Sequence, residues 1–320
     1  MQLEHTSSNG PTGAPPQPAG LRPLLQQTSR TFALTIPMLP EPLQTEVATA
    51  YLLFRIIDTF EDATRWDVPR RVGALAFFVR VMEGDDDPRD MRETVAAWLD
   101  DPPLDHAGYL NLLRATPEVV GWLRGLRPAA AAHLRSHVAR SGRAMARIVE
   151  RAGPDRQLEL ETLQDLRDYC YAVAGIVGEM LTELFILQTP SLQRAAPELR
   201  ARAVEFGEAL QLVNILKDKL VDSAEGRLYL PRRTSVAEVF QLARADLRRA
   251  VQYTELLRTG GADRGMVAFN ALNARLAIDT LQLLRDKGAG AKLTRMQVTG
   301  IAAQVASAVD TGGVLFPESL

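Results

Sequence analysis

The sequence contains little cysteine: Cys170 is the single one among 320 residues. A lone thiol excludes an intramolecular disulfide and any metal site built on a Cys-x-x-Cys pair, and it fits a reducing compartment. Because the residues around Cys170 are apolar, we expect a buried thiol and not a nucleophile.

Membrane-directing segments are also lacking. No apolar run approaches the ~18 uninterrupted residues of a membrane span. The N-terminus has no basic region followed by an apolar core, as a secretory signal would have. We therefore expect a cytoplasmic protein without a transmembrane anchor.

Excess charge of either sign is absent as well. Lysine and arginine together number 37 and aspartate and glutamate 39, so the net charge is −2. No broad basic surface is available for nucleic acid, and any anion-binding site must be local. With 46% hydrophobic residues, the chain can bury a large core.

Alternating β-branched strand patterns are essentially missing, and almost everything after residue 20 has helical periodicity. Residues 1–20 include a segment rich in Pro, Gly and Ser and are predicted to form a flexible tail. We predict one all-α domain over 21–320, a single helical bundle with a central cavity. The predicted helical runs are 23–36, 42–62, 68–82, 89–100, 116–125, 128–152, 161–187, 197–222, 234–259, 263–287 and 294–310.

Two acidic pairs carry the functional signal: Asp58 with Asp62, and Asp218 with Asp222. Four residues make about one helical turn, so each pair presents both carboxylates on one face. Spacing alone is weak, since 39 acids produce roughly five such pairs by chance. Both pairs, however, end strongly apolar helical runs, where a divalent cation shared with a polyanionic ligand would match their charge.

Neighbouring residues extend each pair into a longer stripe. Arg55 and Lys217 beside the acids could orient a diphosphate. An alternative interpretation is a surface ladder of salt bridges, but such ladders normally lie on amphipathic helices, whereas these two runs are apolar nearly all round. The first stripe comprises Tyr51, Arg55, Asp58 and Asp62 with Glu61 at its edge, and the second comprises Gln211, Asn214, Asp218 and Asp222 with Lys217 alongside.

Several segments, in order, resemble the squalene and phytoene synthase family of head-to-head prenyl transferases. They are Thr28–Phe32 (TSRTF), Tyr51–Asp62 (YLLFRIIDTFED), Tyr169–Glu179 (YCYAVAGIVGE) and Gln211–Pro231 (QLVNILKDKLVDSAEGRLYLP). The resemblance extends from about residue 24 to 285. It implies the isoprenoid-synthase helical fold, with a deep pocket in which Mg²⁺ and two allylic prenyl diphosphates bind.

The resemblance also implies residue roles. Lys217 stands where the family usually has arginine, which keeps the charge but loses the bidentate fork. The implied Mg²⁺ ligands are Asp58, Glu61, Asp62, Asn214, Asp218 and Asp222. The implied diphosphate-binding residues are Ser29, Arg30, Tyr51, Arg55, Gln211, Lys217 and Arg227.

A carbocation formed from such a substrate needs a dry cavity with aromatic faces or hydroxyl dipoles. Tyr169 and Tyr171, with Phe32 and Phe54, are candidates for this role, although each could equally be plain core. Gly175 permits close helix packing, with a role in substrate approach as the second interpretation.

Two farnesyl diphosphates would give presqualene diphosphate, and NADPH would then reduce it to squalene. Ala172 replaces an aromatic residue of squalene-forming members, and Asn273 and Ala274 replace their Pro-Gln step. Arg275 and Asp279 form either a surface salt bridge or an inward pair that makes the pocket more polar. These departures keep open dehydrosqualene or phytoene synthesis, or prenylation of a non-isoprenoid acceptor.

A different class, an inactive helical scaffold, would require that metal not bind. The expected partners are prenyl diphosphate substrates and, during product release, peripheral membrane contact. Chain length and oligomeric state stay open at this point.

Overall fold

A computed structural model describes residues 17–63, 65–85, 87–151, 160–224 and 229–316, without the side chains of residues 88 and 219–224. Every regular element in these ranges is helical, and the ranges contain no strand. The α-helices are α1 (Leu21–Thr28), α2 (Phe32–Thr35), α3 (Leu43–Glu61), α4 (Val68–Met82), α5 (Pro88–Asp100), α6 (Ala107–Arg114), α7 (Thr116–Trp122), α8 (Pro128–Glu150), α9 (Leu163–Cys170), α10 (Ile176–Gln188), α11 (Ala196–Ala224), α12 (Val236–Thr259), α13 (Arg264–Lys287) and α14 (Arg295–Thr311).

Local capping explains where several helices begin. At Ser235, the side chain accepts from the backbone N–H of Glu238, whose own carboxylate accepts from the Ser235 N–H. Thr162 and Asp165 form the same reciprocal arrangement at the start of α9. Such a box satisfies two backbone donors that a helix start leaves without partners. The all-α prediction is confirmed.

Three details differ from the predicted runs. The run at 23–36 is two helices, because Ser29 adopts an extended conformation and its Oγ accepts from the N–H of Phe32. Helix α6 was not predicted: it has eight residues, and His106, an unusual capping residue, accepts from the N–H of Tyr109. The run at 161–187 is interrupted by a π-helix over Tyr171–Gly175. The predicted tail lies largely outside the described residues.

The core surrounds α3 and α11. Buried side chains lie around most of α3, among them Ala48, Leu52, Leu53 and Phe54, which is why the run shows little amphipathic pattern. Helix α11 packs against α9, α10, α12 and α13. The acidic ends of these two helices therefore project from the centre of the bundle.

Glycines bring two of the central helices into backbone contact. A Cβ atom at Gly178 would lie 2.0 Å from the carbonyl oxygen of Ala203, and one at Gly207 would lie 2.1 Å from that of Ala174. No larger residue fits at either position without moving a backbone. The glycines thus set the distance between α11 and the segment that follows Tyr169.

Within the described chain, the run Leu163–Gln188 is the one stretch that is long and apolar enough to span a membrane. Its apolar window is 56% buried inside the fold, and it carries Glu179 and Glu183. A core helix of a soluble bundle has the same properties.

Candidate active site

A cleft of about 300 Å³ separates the C-terminal end of α3 from the C-terminal part of α11. Residues of both acidic stripes line it, including Asp58 and Asp218, which are 160 residues apart in sequence. Its lining residues are Arg55, Asp58, Glu61, Asp62, Tyr169, Val173, Gln211, Asn214, Ile215, Lys217, Asp218 and Tyr229.

The guanidinium of Arg55 is held from several directions. It lies 3.5 Å from the Asp58 carboxylate, and its Nε donates to the Tyr51 hydroxyl at 3.3 Å. Tyr51 in turn donates to the carbonyl of Thr28 at 2.8 Å. The rings of Tyr51 and Tyr109 lie 5.5 and 5.4 Å from the guanidinium carbon. Arg55 is therefore oriented before any ligand binds.

The Asp58 carboxyl has an unusual proton affinity. Burial raises its pKa to about 6, Arg55 opposes that rise and Asp62 adds to it. For Arg55, burial lowers the pKa, but attraction to Asp58 and the neighbouring tyrosines outweighs burial and raises it overall. The raised pKa of Asp58 therefore reflects mainly the cost of burying its charge, which Arg55 offsets only in part.

Helix α3 ends within this acidic group. Asp62 is its C-cap residue and Glu61 is 6% exposed. Buried Arg71 of α4 donates to the backbone carbonyls of Phe60, at 3.4 Å, and of Glu61. Arg71 thereby satisfies carbonyls that the helix end would leave without partners and offsets the negative end of the helix dipole.

On the opposite wall, two lysines approach the second stripe. Lys217 donates to the Asn214 side-chain oxygen at 2.8 Å and lies 3.2 Å from the Asp218 carboxylate. Lys292, from the segment between α13 and α14, lies 3.7 Å from the same carboxylate. Two predicted site residues are not covered: the side chain of Asp222 and the whole of Arg227 lie outside the described part of the chain.

Two tyrosines close one side of the cleft. Tyr169 is 4% exposed and stacks on Tyr229 with ring centroids 4.9 Å apart. Tyr229 also donates to Oδ1 of Asp62 at 3.4 Å. Burial, followed by the negative charge of Glu61, holds the pKa of Tyr169 well above its usual value. Tyr169 is therefore a neutral hydroxyl at neutral pH.

Tyr109, Tyr229 and Lys292 were missed by sequence reasoning. Tyr109 lies on α6, which was not predicted, and Lys292 lies in an inter-helix segment that gives no periodic signal. Tyr229 belongs to the quoted segment Gln211–Pro231, so its position two residues before a proline was the one available sign.

Some predicted site residues lie outside the cleft lining. Ser29 caps the start of α2 with its hydroxyl, and Arg30 is exposed between α1 and α2. Phe32 packs with its ring 5.4 Å from that of Tyr51 and 6.5 Å from that of Phe269. These three lie on the segment Thr28–Phe32, which contacts Tyr51 through the Thr28 carbonyl and the Phe32 ring.

Tyr171, Ala172 and Gly175 also do not line the cleft, although Tyr169 does. Tyr171 pairs with Glu179, which also binds Arg140. Ala172 is buried, and its carbonyl accepts from Ser141 Oγ at 2.6 Å. Gly175 lies against Val204 of α11. Tyr171, Ala172 and Gly175 therefore lie on other faces of this segment than Tyr169 and Val173, which line the cleft. A fourth predicted pocket residue, Phe54 on α3, is buried in the core.

The polar residues of α13 have defined partners. Asn273 is buried and donates to the Phe269 carbonyl at 2.9 Å and to Thr35 at 3.4 Å. Arg275 lies 3.1 Å from Asp279 and reaches toward Gln304 of α14. The Arg275–Asp279 pair therefore faces α14, and it does not make the acidic cleft more polar.

The donor set fits Mg²⁺ shared with a ligand. Among the described residues, no three Asp, Glu, His or Cys side chains converge on one metal position. Mg²⁺ in phosphate-transfer sites is commonly held by one or two carboxylates, with waters and substrate oxygens completing its shell. Asp58, Asp62 and Asp218, together with the amide of Asn214, supply oxygen donors of that kind from two sides.

The chain is similar in sequence to known squalene synthases. Squalene synthase BSS of Botryococcus braunii is 31% identical over 215 residues, covering 65% of this chain and 42% of that protein. The squalene synthase of Eremothecium gossypii is 29% identical, over 65% of this chain and 45% of its own. An inactive squalene synthase 2 of Arabidopsis thaliana is 28% identical. The chain thus spans less than half the length of these relatives.

Solved structures share the fold. The TcSQS complex with the ligand BPH1237 superposes with a TM-score of 0.70 at 23% identity, covering 90% of this chain and 85% of that one. A dehydrosqualene synthase in complex with a ligand has a TM-score of 0.59 at 19% identity, covering 92% and 96%. The sequence profile of squalene/phytoene synthase matches residues 25–235. This chain belongs to the squalene/phytoene synthase family.

Proposed function

We propose that the protein is a Mg²⁺-dependent prenyl transferase that joins two allylic prenyl diphosphates head to head, with farnesyl diphosphate as substrate. One observation carries the proposal: two acidic stripes from distant parts of the chain face each other across one cleft. Four described carboxylates, those of Asp58, Glu61, Asp62 and Asp218, meet three cationic side chains. That balance suits divalent cations bound together with a polyanion.

When bound, Mg²⁺ would act as a Lewis acid on the diphosphate and promote its departure. Arg55, Lys217 and Lys292 would stabilise the negative charge that develops on the leaving group. Arg55 is suited to this because its tyrosine contacts hold it in place beforehand, so no reorganisation is required during the reaction.

The allylic cation left behind needs protection from water. Tyr169 and Tyr229 form a stacked, largely buried wall beside the acids. Their π faces can stabilise positive charge, and their packing limits water access. The double bond of the second substrate would attack the cation, and loss of one proton would then close the cyclopropane ring of presqualene diphosphate; the diphosphate released in the first ionisation can accept that proton.

An apolar stripe leads away from the cleft. Val173 lines the cleft, and Val177 and Leu181 continue its face along the next turns. All three pack against the core yet are only partly buried. This stripe supports binding of a hydrocarbon chain below the diphosphate site.

We further propose that the same site carries out the second step, in which NADPH reduces the rearranged cation to squalene. Dehydrosqualene or phytoene synthesis is the second candidate, favoured by Ala172 in place of an aromatic residue. Transfer of the prenyl group to a non-isoprenoid acceptor is a third candidate, suggested by the buried amide of Asn273. A cytoplasmic location, with peripheral membrane contact for product release, accompanies each of these.

The deciding experiment is product analysis by gas chromatography and mass spectrometry after incubation with farnesyl diphosphate and Mg²⁺, with and without NADPH. Squalene that appears only with NADPH supports both steps. Presqualene diphosphate or dehydrosqualene under both conditions assigns the first step and removes the reductive one. A failure to consume farnesyl or geranylgeranyl diphosphate would overturn the proposal and favour an inactive scaffold or another acceptor.

A further inference from the structure

A second charged group lies inside the fold, between α9, α11 and α12. Arg167 Nη2 is 3.2 Å from Oε2 of Glu208 and 3.8 Å from Oδ1 of Asp246. Glu208 and Asp246 are each 3% exposed, whereas the side chain of Arg167 is 36% exposed. None of the three lines the acidic cleft.

The charges in this group do not balance. Two buried carboxylates share one guanidinium, and Oδ2 of Asp246 is buried without a hydrogen-bond partner. A buried carboxylate oxygen without a donor is strongly unfavourable if the group is ionised, whereas a protonated carboxyl is tolerated. The geometry therefore favours one proton retained between Glu208 and Asp246.

The surrounding charged groups do not remove the excess. Glu205, on α11, adds negative charge near both carboxylates, and Arg249, on α12, partly compensates it at Asp246. From the side of α9 and the π-helix, Cys170 and Tyr171 also face the pair, and both are neutral at neutral pH because burial raises their pKa values.

Two residues of this charged group lie close in sequence to residues that line the cleft on two different helices. Arg167 precedes Tyr169 by two residues, and Glu208 precedes Gln211 by three, so each lies within one helical turn of a cleft residue. Beside Glu208, Gly207 brings the α11 backbone against Ala174 of the π-helix. A change in the Arg167–Glu208 contact would therefore shift the tyrosine wall relative to the second acidic stripe.

We propose that Arg167 and Glu208 are positioning residues that hold Tyr169 in register with Gln211, and that the Glu208–Asp246 pair keeps one proton at neutral pH. The positioning role of Arg167 and Glu208 rests on the proposed prenyl transfer, because the placement of Tyr169 relative to Gln211 is tested by measuring kcat. The second half is independent of the reaction, since it concerns folding alone.

The proton affinities agree with this geometry. Burial raises the pKa of Glu208 to about 7, with Arg167 opposing and Asp246 adding, and burial raises that of Asp246 to about 6. A carboxyl whose pKa is higher in the folded than in the unfolded state binds protons more strongly when folded. The stabilisation from this bound proton is fully present below the pKa of the unfolded state. It is lost as pH rises through the folded-state pKa of about 7.

The test compares Glu208→Gln with Glu208→Leu. Glutamine mimics the protonated acid and can still accept from Arg167, whereas leucine keeps the volume without an acceptor. The quantity compared is the midpoint of thermal unfolding of Glu208→Gln minus that of wild type. This difference should increase by at least about 3 °C between pH 5.5 and pH 8.5, because only wild type loses the bound proton. A difference that stays flat over the same range would identify a carboxylate that is ionised throughout, as in an ordinary salt bridge, and would overturn the shared proton.

Turnover tests the positioning half. Glu208→Gln should keep kcat within about threefold, and Glu208→Leu should lower it about tenfold or more with KM changed less. Wild-type kcat in Glu208→Leu would overturn the positioning role. Should that variant not fold, Arg167→Lys replaces it, because a single ammonium group keeps the charge but not the forked contact. Wild-type kcat in Arg167→Lys would likewise overturn the role.

The two halves can fail separately. An inactive wild-type enzyme would remove the proposed function, yet the pH dependence of unfolding would still decide the shared proton.

Discussion

The Nζ atom of Lys292 lies 3.7 Å from Oδ1 of Asp218. This contact brings the segment between α13 and α14 to the second acidic stripe, next to Lys217. Two ammonium groups on one carboxylate exceed what that carboxylate needs, so one of them is available to a bound anion. The C-terminal part of the fold thus contributes a cation to the acidic cleft between α3 and α11.

We expect Lys292→Ala to raise the KM for the prenyl diphosphate while the protein remains folded. The Lys292 side chain is 59% exposed, so solvent screening limits the effect to about 1 kcal/mol, or roughly fivefold. Steady-state kinetics measure it, with Lys287→Ala, an exposed lysine at the end of α13, as the matched control. An equal change in both variants would argue against a specific role for Lys292.

Asp58→Asn and Asp218→Asn should each lower kcat/KM by about 10³-fold or more, because each removes a charge that would bind cation together with diphosphate. Circular dichroism should show unchanged helix content, since both carboxylates lie at a cleft and not in apolar packing. Asp90→Asn, at an exposed position in α5, is the control. Near wild-type rates in either cleft variant would remove the site assignment.

Tyr229→Phe keeps the ring that stacks on Tyr169 but removes the hydroxyl that donates to Asp62. We expect a three- to tenfold loss of kcat/KM, about 0.5–1.5 kcal/mol, from that hydrogen bond. Tyr229→Ala should lose more, because the stacked wall also opens. If the two variants behave identically, the ring makes no contribution of its own.

Gly207→Ala should destabilise the fold by about 3 kcal/mol or more, because its Cβ would lie 2.1 Å from the Ala174 carbonyl oxygen and one of the two backbones must move. Gly73→Ala is the matched control: this helical glycine has nothing within 4 Å of an added Cβ, so alanine should stabilise by roughly 0.5–1 kcal/mol. Urea denaturation at equilibrium measures both. Equal stability of the two variants would contradict the close approach of α11 and the π-helix.

Local features predicted much of the fold. The helical class, most helix boundaries and the burial of Cys170 follow from periodicity, caps and apolar neighbours, and the structure confirms them. The short helix α6 escaped prediction because eight residues capped by a histidine carry little periodic signal. The π-helix escaped because helical periodicity does not report a single wider turn; in the structure, Ser141 Oγ donates to the Ala172 carbonyl there and Gly207 of α11 lies against Ala174.

The sequence alone determined which polar side chains share a helical face, because the spacing of Arg55, Asp58 and Asp62, or of Asn214 and Asp218, fixes their direction on a helix of 3.6 residues per turn. Only the tertiary structure decided which other side chains meet them. Tyr109, Tyr229 and Lys292 come from other elements and reach Arg55, Asp62 and Asp218 only in the folded chain. Such long-range contacts depend on how helices pack, and no local spacing specifies them.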